Sequence, residues 1–207
     1  MPRKRGDPDD LGDIGQELTA RINERVREAL VGRPRLPVGT VTILFTDVEG
    51  STALVRDLGD RGAHAVVRRH DELVRGAITG SEGIEIEHAG DSFMVAFPTA
   101  GAALGCALQI HRALEAERRS EPQTPLVRVG MDTGEVIAEE RGYFGSTVFR
   151  AARVADLAAG GQTLTAEPTK VLGEMAGYSF SEAGEVELKG MAGRHRLFEL
   201  IGGPTES

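Results

Sequence analysis

The sequence predicts an α+β fold, and three observations carry that prediction. Short β-branched and aromatic runs alternate with longer stretches at helical spacing. The first six such segments follow the order β-α-β-β-α-β, which is the ferredoxin-like arrangement. At 207 residues the chain suits one domain with a full core plus an extra segment. A sheet with helices on one face is the expected architecture.

Each element has its own warrant. Residues 1–13 mix charge, proline and glycine without periodicity and read as a tail. From Ile14 to Leu30 an apolar residue recurs every four positions, one face of an amphipathic helix, which Arg33-Pro-Arg-Leu-Pro37 ends. That helix reads equally as one packed on its own domain and as a dimer or regulatory helix. The expected organisation is therefore a tail and helix over 1–38 and a main domain over 39–203, whose C-terminal part adds strands to the core.

The main domain opens with a buried strand at Val41–Thr46, with Asp47 at its end. Helical spacing covers Ser51–Ile78, and strands are expected at Gly83–His88 and Ser92–Phe97 around the turn signal Gly90-Asp91. The alanine-rich Thr99–Arg118 reads as a long helix. Leu126–Asp132 reads as a strand leading through Gly134 to a shorter one, Glu135–Glu139, followed by a helix over Ser146–Ala159 and further strands in Tyr178–Ile201.

Composition excludes several function classes. A hydrophobic fraction of 40% and a charged fraction of 27% are ordinary globular values, which argues against wholesale disorder. A net charge of −8 argues against a nucleic-acid coat, which needs a basic surface. No run of 18 apolar residues and no signal peptide is present, so the chain reads as cytoplasmic, with no membrane partner. The single cysteine, Cys106, allows no intrachain disulfide and sits in an apolar run as a small buried hydrophobe.

Chemistry concentrates at two aspartates. In a ferredoxin-like sheet the first strand lies beside the hairpin, so Asp47 and Asp91 can converge on one edge. Two hard carboxylates suit magnesium, which prefers one or two of them plus water and substrate phosphates. A pair of such ions can stabilise the attacking and leaving oxygens of an in-line displacement at phosphorus. Between the aspartates, Glu49-Gly50-Ser51-Thr52 forms a turn entering a helix, whose free N–H groups suit a polyphosphate. Taken alone, each of these signals is also an ordinary turn or helix cap.

Five ordered motifs sharpen the reading. Phe45-Thr-Asp-Val-Glu-Gly-Ser-Thr52, Gly90-Asp-Ser-Phe-Met-Val-Ala-Phe97, Arg128-Val-Gly-Met-Asp-Thr-Gly-Glu-Val136, Phe144-Gly-Ser-Thr-Val-Phe-Arg-Ala-Ala-Arg153 and Leu188-Lys-Gly190 resemble the catalytic domain of class III nucleotidyl (adenylyl/guanylyl) cyclases of bacterial type. The resemblance spans roughly Val41 to Leu200. It implies an enzyme that closes a nucleoside triphosphate into a 3′,5′-cyclic nucleotide with loss of pyrophosphate, using two divalent metal ions, Mg²⁺ or Mn²⁺. It further implies that Asp47 and Asp91 hold the metals, that the backbone carbonyl of Val48 faces one, and that Arg128 and Lys189 hold the triphosphate. Arg153 matches the arginine that stabilises the transition state, and the active site is expected between two chains of a head-to-tail homodimer.

Three positions depart from the adenylyl pattern. A lysine and an aspartate that read adenine are replaced by Glu87 and Gly142. Guanine presents donors at N1 and N2 and an acceptor at O6, so Glu87 can accept two hydrogen bonds, and Gly142 removes a carboxylate that would repel O6. The pair resembles guanylyl cyclases, which favours GTP over ATP; Tyr143 beside it can pack on the base, bond near it, or belong to a strand-edge cluster. Phe149 stands where the family places an asparagine that orients the ribose, and a phenylalanine donates no hydrogen bond. Losing one such donor costs about 10²- to 10³-fold in rate. The alternatives are an adenylyl cyclase with altered base-reading residues and a weak or inactive nucleotide-binding pseudo-cyclase.

Overall fold

The computed structural model describes residues 36–140 and 142–204. The tail and amphipathic helix expected before Arg35 lie outside the described residues. Within them the order is β1 (Gly39–Val48), α1 (Ser51–Gly80), β2 (Ile84–Ala89), β3 (Ser92–Phe97), α2 (Ala100–Arg118), β4 (Val127–Glu139), β5 (Gly142–Phe144), α3 (Ser146–Leu157), β6 (Thr163–Ala166), α4 (Glu167–Met175), β7 (Ser179–Glu187) and β8 (Arg194–Gly202).

The sheet runs β2-β3-β1-β4-β6-β8-β7, with β5 added on β4. Its first four strands are the ferredoxin-like core, and β1 does lie beside the hairpin, antiparallel to β3 and to β4. The C-terminal strands extend it, with β6 parallel to β4 and β7–β8 closing the far edge.

Alternation along the strands explains the two cores. Leu44 and Val48 of β1, Phe93, Val95 and Phe97 of β3 and Val127, Val129 and Met131 of β4 face one side, where Val74 and Ile78 of α1 and Leu104, Ile110 and Leu114 of α2 cover them. Cys106 is buried in this core, and burial pushes its thiol up to about 12, so it stays a neutral hydrophobe. Val41 and Ile43 point the other way, into a second cluster with Met94, Ala96, Tyr143 and Ala151.

Ala151 belongs to α3, so the helices are not confined to one face as the segment order suggested. The close seat of α3 depends on Gly130, where a Cβ would collide with the backbone of Ala155. Two other differences have local causes. β4 crosses Gly134 without a break, because it pairs with β1 from Val48↔Val127 to Gly39↔Val136. α1 is broken by Gly59, whose φ of +67° and ψ of 171° are not helical. Thr99 caps α2, its hydroxyl accepting from the Ala102 N–H at 3.2 Å. No helix among the described residues is long and apolar enough to cross a membrane.

Candidate active site

Asp47 is the penultimate residue of β1 and, being odd-numbered, lies on the α3 face of the sheet. Its neighbours follow from register. Thr46 pairs with Phe93, which brings Ser92 alongside, and the Ser92 hydroxyl donates to Asp47 Oδ1 at 2.7 Å. On the other side Asp47 pairs with Arg128 of β4, whose Nε donates to Oδ2 at 2.8 Å and whose Nη2 also reaches Oδ2. Arg128, expected on a triphosphate, here neutralises the first aspartate of its own chain.

Asp91 occupies the β2–β3 turn after Gly90, whose φ is +67°, and directly precedes Ser92. The serine bonded to Asp47 is thus the direct chain neighbour of Asp91. Asp91 Oδ2 is buried and has no hydrogen-bond partner among the described residues. An unpaired buried carboxylate oxygen is costly and calls for a cation or a donor. Among the described residues no group of three or more His, Cys, Asp or Glu forms a closed cage. Two carboxylates, one of them with an orphaned oxygen, fit a hard divalent ion that keeps water and substrate in its shell. Val48, next to Asp47, is 2% exposed with its side chain in the larger core, which anchors the end of β1.

Glu49 ties the β1–α1 turn to the segments before β4 and β6: its N–H donates to the Leu126 carbonyl at 2.9 Å and its carboxylate accepts from the Gly160 N–H at 3.0 Å. Gly50 then adopts the left-handed region at φ +70°, and no side chain caps the first turn of α1 where Ser51 and Thr52 stand. Uncapped N–H groups at a helix start can receive an anion.

Lys189 is exposed in the β7–β8 loop and lines an open cavity of about 540 Å³ with Leu188, Gly190 and Arg194. Arg153 stands on α3 and pairs with Asp156 at 3.1 Å. Neither cation bonds to Asp47 or Asp91 among the described residues. Phe149, one turn before Arg153, is 51% exposed and meets Phe144 edge to face at 5.5 Å between centroids.

Strict alternation would point Glu85 and Glu87 to the same side. A β-bulge prevents this: Glu85 pairs with Val95, Glu87 with Met94, and Ile86 is the extra residue. Val95 and Met94 face opposite cores, so Glu85 turns toward α1, where Arg75 binds it, and Glu87 joins the face of Asp47. Gly142 is close by, since a Cβ there would lie 3.3 Å from Ile86 Cγ2. Tyr143 is 9% exposed within the second core, and its hydroxyl donates to the Pro37 carbonyl at 2.7 Å, which fits the strand-edge cluster rather than a contact to a base.

Sequence reasoning overlooked Ser92 and Ile86. Ser92 lay inside a quoted motif, and its place beside Asp47 becomes visible only through the β1–β3 register. No local signal in Glu82-Gly-Ile-Glu-Ile-Glu87 marks the bulge.

The chain resembles known proteins over this same region. Residues 35–202 match the family model of the adenylate and guanylate cyclase catalytic domain. An uncharacterized protein of Mycobacterium tuberculosis is 38% identical over 163 residues, covering 78% of this chain and 52% of its own length, so the chain spans about half the length of these curated relatives. A solved adenylate cyclase structure from Trypanosoma brucei, in its monomeric state, superposes with a TM-score of 0.69 at 29% identity, over 81% of this chain and 91% of the other. The guanylate cyclase domain of a Catenaria anguillulae protein in complex with GTP shares the fold, with a TM-score of 0.70 at 17% identity, over 80% of this chain and 97% of the other. By fold, by motif order and by the extent of the match, the chain belongs to the adenylate and guanylate cyclase catalytic domain family.

Proposed function

We propose that the chain is a nucleotidyl cyclase that converts GTP to 3′,5′-cyclic GMP and pyrophosphate as a head-to-tail homodimer. The observation that carries this reading is Asp91 in the β2–β3 turn directly before Ser92, whose hydroxyl bonds Asp47, with a buried Asp91 oxygen that has no partner among the described residues. Asp47 and Asp91 would hold divalent metal ions, with the Val48 carbonyl beside them. Bound there, such ions would neutralise charge on the phosphates and lower the cost of forming the attacking alkoxide.

The remaining groups follow from where charge develops. As the ribose 3′-oxygen bonds to the α-phosphorus, the bond to pyrophosphate breaks and the 3′ proton is released. Negative charge grows on the nonbridging and leaving oxygens, and Arg153 and Lys189 supply fixed positive charge to them. Among the described residues neither cation bonds Asp47 or Asp91 of its own chain, which supports their action on a partner's site. The uncapped turn Gly50–Thr52 supplies N–H groups to the phosphates, and Glu49 holds that turn in place. Arg128, paired with Asp47, is placed to exchange that carboxylate for a phosphate when metal binds.

Base preference rests on Glu87 and Gly142. The bulge at Ile86 turns Glu87 to the metal-site face, and Gly142 lies against that bulge, which supports a shared base-reading corner. A site built to bond one purine edge rejects the other by up to about 10⁴-fold. Several relatives are adenylate cyclases, so ATP is the competing substrate. Phe149 favours a second reading, a nucleotide-binding domain with weak or no turnover, because its exposed ring donates no hydrogen bond.

Incubation with Mn²⁺ or Mg²⁺ and each triphosphate separates these readings. Cyclic GMP in excess of cyclic AMP, lost in Asp91→Ala, is the expected result. Product no greater than in Asp91→Ala with either nucleotide would eliminate the enzyme, and excess cyclic AMP would eliminate the role given to Glu87.

A further inference from the structure

Behind the metal-site hairpin, α1 carries a cluster of charges that the reaction does not use. Asp71 is 9% exposed, and its Oδ1 lies 3.1 Å from Nδ1 of the fully buried His70. Its Oδ2 lies 3.1 Å from Nε2 of His88 on β2, an ion-pair distance without the alignment of a hydrogen bond. One turn further on, Arg75 approaches Asp71 at 3.9 Å and binds Glu85 of β2 at 2.9 and 3.1 Å. Its guanidinium stands 5.0 Å from the ring centre of the buried Phe93 of β3, against which His88 stacks at 4.4 Å.

These contacts grip the hairpin on both sides of Asp91. Among the described residues β2 is an edge strand, bonded only to β3 and interrupted by a bulge, so its own ladder fixes the turn weakly. Glu85 and His88 before the turn, and Phe93 after it, all rest on residues 70–75 of α1. Asp71 is the one carboxylate shared by both histidines.

We propose that Asp71 is a positioning residue: through His88 it sets the orientation of the β2–β3 turn and thereby the affinity of Asp91 for a divalent ion. The proposal rests on Asp91 being a metal ligand. Groups that orient a metal ligand typically change affinity by about 10- to 100-fold when removed.

The test is calorimetric titration of Mn²⁺ into the full chain with a nonhydrolysable GTP analogue, alongside thermal melts. Wild type, Asp91→Ala, Asp71→Asn, His88→Phe and Gly59→Ala are compared; His88→Phe keeps the stacking on Phe93 but loses the nitrogen, and Gly59→Ala loosens α1 away from the hairpin. The expected result is Mn²⁺ affinity weakened about tenfold or more in Asp71→Asn, weakened less in His88→Phe, and unchanged in Gly59→Ala. Wild-type Mn²⁺ affinity in both hairpin variants, whatever their melting temperatures, would overturn the proposal. So would an equal weakening in Gly59→Ala, which would reduce Asp71 to a general stabiliser. Should Asp71→Asn fail to fold, His88→Phe decides alone. Equal binding by wild type and Asp91→Ala would instead sink the metal-site reading, and this inference with it.

Discussion

Asp132 of β4 is wholly enclosed beneath α3, with Oδ2 accepting from Arg150 Nε at 2.7 Å and Oδ1 unpartnered. Burial pushes its carboxyl above the usual carboxylate range, and Arg150 opposes that shift. A raised value means the protonated form suits the fold better, so this group's stabilising contribution is present at acid pH and lost as pH rises through the folded value. At neutral pH the charge is therefore tolerated only because Arg150 is there. Arg150→Met strands it and is expected to cost about 3–5 kcal/mol in urea unfolding, while Asp132→Leu/Arg150→Met together should recover most of that. His111 has the opposite sign. Burial, with a smaller push from Arg118, holds its imidazole below the usual value of 6.5, and Nε2 lies 2.8 Å from Thr163 Oγ1. Its neutral form stabilises the fold above pH 6.5, and that contribution is lost as pH falls below it. Melting temperature followed down from pH 7 should thus fall less steeply in His111→Gln, and identical slopes would count against this residue.

At the scale of elements, the sequence displayed what repeats and concealed what interrupts. β1, α1, β2, β3 and α2 were legible because their apolar periods run for several turns or pleats, and Asp47 and Asp91 followed once β1 was placed beside the hairpin. Interruptions come from single residues whose neighbours look regular. The bulge at Ile86 decides which face Glu87 takes, yet Ile-Glu-Ile-Glu alternates perfectly as text. The side chosen by α3 depends on Gly130 against Ala155, a tertiary fit with no local signature. β6 spans only four residues, and α4 begins with Glu167-Pro168, too short for either period to declare itself. Gly59 is of the same kind. A Cβ there would meet nothing within 4 Å, so the only cost of Gly59→Ala is its left-handed φ of +67°. With ψ at 171° this is a region that essentially only glycine adopts, so the substitution should destabilise by about 1–3 kcal/mol in equilibrium unfolding if the kink persists. A gain in stability would mean that α1 can straighten across residue 59.

At the scale of the whole molecule, one sheet serves two purposes on its two faces. The side covered by α1 and α2 holds the larger core, whereas the α3 side carries Asp47, Glu87 and Arg128. Ile137, paired in register with Phe144, and Phe149 are 63%, 51% and 51% exposed, apolar surface that a second protein would cover favourably. Among the described residues Arg153 and Lys189 meanwhile bond to neither Asp47 nor Asp91 of their own chain. A site divided between two chains accounts for both facts, and it makes a prediction that a self-sufficient subunit does not. On that proposal Asp91→Ala would lack a metal carboxylate and Arg153→Ala a cation, so each homodimer should be inactive at both sites. In a mixed dimer one site combines both defects, while the other takes Asp91 from one chain and Arg153 from its partner and is intact. With random exchange half the dimers are mixed, and half of their sites work, so an equimolar mixture should recover about a quarter of wild-type activity. Cyclic nucleotide formed by the mixture, over the sum of the two variants alone, is the measurement. No recovery despite demonstrated subunit exchange would place Arg153 and Asp91 in the same chain's site.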